Sequence, residues 1–114
     1  MTRDERLEHD AARARLACHM AAYAMGAEGD LLTEERGAAR TARARQVAMY
    51  LTHVAFGMSL HRVAVAFGRD RSTVAHACHL MEDRRDDAAF DDLMSALEAS
   101  LRAAPPPVPV RLAA

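Results

Sequence analysis

The chain has 114 residues, enough for one domain and too few for two. It is 51% hydrophobic but only 4% aromatic, and its formal net charge is −1. No apolar stretch approaches the roughly 18 residues of a membrane span, and the charged start Met1-Thr2-Arg3-Asp4-Glu5-Arg6 leads into no apolar signal core. The expectation is a cytoplasmic, helical protein whose apolar content is carried largely by alanine, the best helix former.

Residues 1–9 read as a frayed or loosely helical N-terminus. From about Asp10 to Met25 the pattern is helical, with Leu16, Met20 and Tyr23 near one face and Ala17, Ala21 and Ala24 small enough for close approach. Gly26 and Gly29 break this helix, and Asp30 is placed to cap a short one through Leu31, Leu32 and Glu35. Residues Arg36 to Arg43 read as a basic connector. A longer helix follows from about Arg43 to Phe56, where Val47, Leu51, Val54 and Ala55 keep helical spacing and Ala48, Met49, Tyr50 and Phe56 widen the stripe. It should be central and mostly buried. Gly57 ends it. Ser59 caps a short helix through Phe67, with Leu60, Val63, Ala64 and Phe67 inward. Gly68 punctuates, and the next helix starts at Asp70 or Arg71 and runs to about Arg85. A last helix spans roughly Asp87 to Arg102, with Phe90, Leu93, Met94, Leu97 and Leu101 on one face. Proline is absent before Pro105 and then occurs four times. Residues 10–102 therefore form the expected domain, and residues 103–114 a disordered Pro-rich tail.

Charge is unevenly placed. Residues 36–81 carry Arg36, Arg40, Arg43, Arg45, Arg62, Arg69 and Arg71 against Asp70 alone, while the flanks are acidic. A basic centre is an electrostatic footprint for a polyanion. Within it, two short helices joined by a glycine-bearing turn have the form of a helix-turn-helix. On the second helix, Val74, Ala77, Cys78 and Met81 fall on the core side. Arg71, Ser72, Ala75, His76 and His79 fall on the other, a short polar face suited to a DNA major groove.

The run Gly68-Arg69-Asp70-Arg71-Ser72-Thr73-Val74-Ala75-His76-Ala77-Cys78 resembles the signature G-G-R-D-H-T-T-V-x-H-A-C of the DNA-binding domain, domain IV, of the bacterial replication initiator DnaA. Ala44-Arg45-Gln46-Val47-Ala48-Met49-Tyr50-Leu51 resembles that family's R-Q-I-A-M-Y-L helix, and Ser59-Leu60, Tyr23 and Asp30-Leu31-Leu32 fit its further landmarks. No Walker motif accompanies them, so the expectation is a stand-alone relative of the HdaB type. The implied fold is a compact all-α helix-turn-helix domain, DnaA domain IV or Trp-repressor-like. The resemblance implies that Arg45, Gln46 and Arg69 touch the DNA backbone, that Asp70, Arg71 and Ser72 read bases, and that Thr73 and His76 lie near the backbone. It makes the basic loop around Arg36, Arg40 and Arg43 a further DNA contact. Three departures point to altered recognition of the initiator's sites. The turn has one glycine rather than two, Arg71-Ser72 replaces His-Thr, and the family's minor-groove arginine falls on Gly37, just after Glu34 and Glu35.

Other chemistry finds little support. Cys18 and Cys78 form no C-x-x-C pair and read as buried thiols. His76, Cys78 and His79 cannot all aim at one ion from one helix, so no metal and no cofactor is expected. The acids between Glu82 and Asp92 suit a solvated face beside Arg84 and Arg85 rather than catalysis. No nucleophile–base pattern appears, and the expectation is that the chain is not an enzyme. Double-stranded DNA is the first expected partner, within a nucleoid-associated location. The alternative is a protein-interaction role toward DnaA or its ATPase-type inactivator, and self-association through the first and last helices stays open.

Overall fold

The computed structural model describes residues 1–32 and 39–106. These form five helices: α1 (Arg3–Met25), α2 (Ala39–Phe56), α3 (Leu60–Phe67), α4 (Arg71–Arg84) and α5 (Ala88–Ala103). No strand occurs among the described residues.

Helix α1 starts earlier than its apolar pattern suggests. Thr2 and Glu5 form a reciprocal capping box, in which the Glu5 N–H donates to Thr2 Oγ1 at 3.1 Å and the Thr2 N–H to Glu5 Oε2 at 3.4 Å. With two of the free N–H groups satisfied, residues 3–9 are helix rather than a frayed end. The buried face of α1 is also rotated from the expected one. It consists of Asp10, Ala14, Ala17, Cys18 and Ala21, while Leu16 and Met20 are half-buried and Tyr23 is 90% exposed. The reason lies in the partner. Helix α1 makes its most extensive contact with α2, and small side chains let two helices approach closely. Larger ones are displaced to the margins of the seam.

Helix α2 is the centre of the molecule. Every residue from Val47 to Thr52 is buried, and α1, α3, α4 and α5 all pack on it. Its polar members are satisfied internally: Thr52 Oγ1 donates to the Ala48 carbonyl at 2.7 Å. Among the described residues the helix runs from Ala39, so Arg40 and Arg43 lie on α2 and not in an irregular connector. The following corner is closed by His53, whose Nδ1 lies 2.6 Å from the Met58 carbonyl and donates to it. Helices α3 and α5 start where expected, Ser59 accepting from the Arg62 N–H at 3.2 Å and Asp87 from the Phe90 N–H at 3.3 Å. Met94, Leu97 and Leu101 of α5 are buried against this core, and Phe90 and Leu93 flank them.

Two polar devices tie the helices together. Asp10, 3% exposed, accepts Arg62 Nε at 2.9 Å and Arg62 Nη2 at 2.5 Å, joining α1 to α3. Arg85, just after α4, is the second hub. It reaches Asp91 and Glu98 at 2.5 Å, and Ser95 and the Tyr50 hydroxyl at 2.9 Å. Tyr50 in turn donates to Glu82 at 2.6 Å. The expected solvated acidic face is thus partly an ion-paired joint between α2, α4 and α5.

Burial pushes the Cys18 thiol up to about 12 and the Cys78 thiol up to about 11. Burial also raises Tyr50 to about 12, helped by its bond to Glu82. All three favour the neutral form in the folded state. Their contribution is complete below the ordinary thiol and phenol values and declines as pH rises through 11 to 12. Urea unfolding should therefore show stability falling above about pH 9. The fall should be smaller in Cys18→Ala/Cys78→Ala/Tyr50→Phe than in the parent chain.

Candidate nucleic-acid interface

Helices α3 and α4 meet at a turn of three residues. Gly68 adopts φ 62°, the left-handed conformation, and ends α3. The Arg69 N–H then donates to the Ala64 carbonyl at 3.0 Å, which closes the last turn. A Cβ on Gly68 would meet nothing within 4 Å, so only its backbone conformation calls for glycine. One glycine is sufficient here, because Asp70 already lies at the start of α4, with φ −68° and ψ 148°.

The faces of α4 separate cleanly. Val74, Ala77 and Met81 are buried, and Cys78 is half-buried. Arg71, Ser72, Thr73, His76 and His79 are exposed, and Ala75 between them is half-buried. Asp70 is exposed as well, and its carboxylate makes no capping hydrogen bond. Among the described residues no hydrogen bond or ion pair engages the side chains of Asp70, Arg71, Ser72, Thr73 or His76. The first two turns of α4 thus present donors, acceptors and one cation that the fold does not use. Its far end and the turn after it expose Glu82, Asp83 and Asp86 beside Arg84.

The remaining expected contacts are dispersed. Arg69 is half-buried in the turn. Arg40 and Arg43 are exposed on α2, where Arg40 Nη1 donates to the Gly26 carbonyl at 3.5 Å. Gln46 is half-buried. Arg45 is only 9% exposed, and its Nε donates to the Leu31 carbonyl at 2.8 Å. That bond holds the turn at Asp30, whose Oδ1 accepts from the Leu32 N–H at 2.9 Å. A role in fixing this turn was not legible in the sequence. Arg36, Gly37 and Glu35 lie outside the described residues. No group of three or more potential metal ligands occurs among the described residues, and no described helix is long and apolar enough to cross a membrane.

Residues 17–80 match the family described as the bacterial DnaA protein helix-turn-helix. The chromosomal replication initiator protein DnaA of Aquifex aeolicus (strain VF5) is 40% identical over 78 residues, covering 67% of this chain and 19% of that protein. A replication initiator DnaA bound to AMPPCP and single-stranded DNA superposes with a TM-score of 0.70 at 31% identity. A DNA replication initiation factor does so with 0.71 at 32%. Each superposition covers 88% of this chain and 30% of the other. The chain spans less than a third of the length of these relatives.

The division between scaffold and unused side chains is measurable. Gly68→Ala should lower stability by about 1 kcal/mol, the penalty for a Cβ in the left-handed region. Ser72→Ala and His76→Ala should each stay within about 0.5 kcal/mol of the parent. Denaturant titration followed by circular dichroism checks both.

Proposed function

This chain belongs to the bacterial DnaA helix-turn-helix family, and we propose that it binds duplex DNA with α4 in the major groove and acts in the control of chromosome replication initiation. The observation that carries this reading is the set of unengaged polar side chains from Asp70 to His76, on the helix that the family signature occupies. Charges nearer the core are paired, as Arg62 is with Asp10 and Arg85 with Asp91 and Glu98. Side chains kept exposed and unpaired at a helix N-terminus, where the helix dipole is positive, suit a polyanionic ligand.

Electrostatics also favours one orientation. Arg69 and Arg71 stand at the start of α4, while Glu82, Asp83 and, just past the helix, Asp86 outnumber Arg84 at its end. Phosphates would attract the first and repel the second, so the helix should enter the groove N-terminus first. Arg69, Thr73, Arg40 and Arg43 are the proposed backbone contacts, and Asp70, Arg71 and Ser72 the proposed base contacts. His76 is proposed to lie near the backbone, as is Gln46 with its partial exposure. Arg45 is proposed to contribute chiefly by holding the Asp30 turn from which the basic segment continues, and Arg36 remains a proposed contact of that segment.

Anisotropy titrations of labelled initiator-box and scrambled duplexes at two salt concentrations test the reading. Affinity should fall with rising salt, and Arg69→Ala should weaken binding to all sequences while reducing the salt slope by about 1. Absence of binding to every duplex at low salt would refute it.

A second reading, contact with the initiator or with its ATPase-type inactivator, is favoured by one feature. Tyr23 stands 90% exposed on α1, one residue past Ala22 of a cleft of about 220 Å³ lined also by Arg15, His19, Leu31 and Leu32. Exposed tyrosine beside a partly apolar cleft is a common anchor of protein contacts. Tyr23→Ala should abolish co-purification of such a partner while leaving duplex affinity unchanged.

A further inference from the structure

We infer that Arg71 makes this helix-turn-helix select a guanine. The inference rests on the duplex-binding reading above and deepens it. Arg71 is the first residue of α4 and is exposed. Helical side chains lean toward the N-terminus, so its guanidinium projects ahead of the helix, toward whatever the helix end meets. Among the described residues no carboxylate or carbonyl engages it, whereas Arg62, Arg85 and Arg102 are committed to acids and Arg40 to a carbonyl.

Asp70 decides between phosphate and base. It occupies the N-cap position of α4, yet its carboxylate accepts nothing from the first turn, unlike Ser59 of α3 and Asp87 of α5. A free carboxylate repels phosphate and can only accept hydrogen bonds. In the major groove the base donors are the amino groups of cytosine and adenine. Asp70 and Arg71 are adjacent, so a position that suits the carboxylate brings the guanidinium to base edges as well. Guanine is the base whose major-groove edge offers two acceptors, O6 and N7, and the planar guanidinium donates to both at once. An imidazole, which the family signature has at this position, has no such paired donors. Ser72 and the half-buried Ala75 are short and leave room for the close approach.

Selection of randomised duplexes by the full 114-residue chain at low salt should enrich a site with one fixed guanine. Titrations would then compare that site with the three duplexes changed at that base pair. The parent chain should lose roughly ten-fold to a hundred-fold in affinity on losing the guanine. Arg71→Ala should bind all four duplexes alike, and Arg71→Lys should keep a reduced preference, each with an unchanged circular dichroism spectrum. The inference is overturned if Arg71→Ala keeps the parent's base profile, including the case in which it weakens all four duplexes equally, as loss of a phosphate contact would. It is also overturned if no guanine is enriched while duplexes still bind. If no duplex binds at any sequence, the reading beneath it fails too, so the two failures are distinct.

Discussion

The close seam between α1 and α2 is the constraint on which the rest of the structure depends. Ala14, Ala17 and Ala21 on one helix and Ala44 and Ala48 on the other are all sealed from solvent. Alanine gives little burial per residue, but it lets two backbones approach and loses no side-chain entropy on packing. The approach shelters one side of α2, and the residues from Met49 to Thr52 complete the core toward the other helices. A chain with so few aromatic residues compensates for small side chains by proximity. Methionines such as Met49, Met58, Met81 and Met94 fill the irregular gaps that remain.

That core fixes α4 at both ends by different means. At its start, the left-handed Gly68 and the Arg69 N–H set the angle between α3 and α4. At its end, Glu82 and Arg85 converge on the hydroxyl of Tyr50, and Arg85 continues to α5. Buried apolar contacts through Val74, Ala77 and Met81 hold the middle. The helix is thus located by groups on its inner face and beyond its termini, and its outer face makes no contribution to holding it.

Local signals carried much of this into the sequence. Ser59, Gly68 and the spacing of Val74, Ala77 and Met81 specify α3, the turn and the inner side of α4 within a few residues of chain, and the structure agrees. The signature around Gly68 also identified the family, which the matches to DnaA proteins bear out. What failed was non-local. The face of α1 depends on how closely α2 approaches: Ala17 and Ala21 lie in the seam as their size suggests, while the larger Tyr23, near Leu16 and Met20 in the helical pattern, stands exposed. The start of α1 is set by a local signal outside the apolar pattern, because Thr2 and Glu5 precede any apolar period. Arg85 has partners 6, 13 and 35 residues away, and Arg62 pairs 52 residues back. No periodicity announces such pairs. Likewise the bond from Arg45 to Leu31 joins residues that only the tertiary fold brings together.

The uncapped Asp70 and the solvent-facing side chains after it have a consequence for how such a chain can change over generations. Because Asp70, Arg71, Ser72 and His76 take no part in packing or in the polar joints, drift at these positions is not screened by foldability. Changes to these side chains leave the buried contacts and the polar joints untouched. A duplicated copy of such a domain can explore new partners along one edge of one helix while its scaffold stays under unchanged selection. The substitution of Arg71-Ser72 for His-Thr, beside a retained inner face, is what such a history would leave behind.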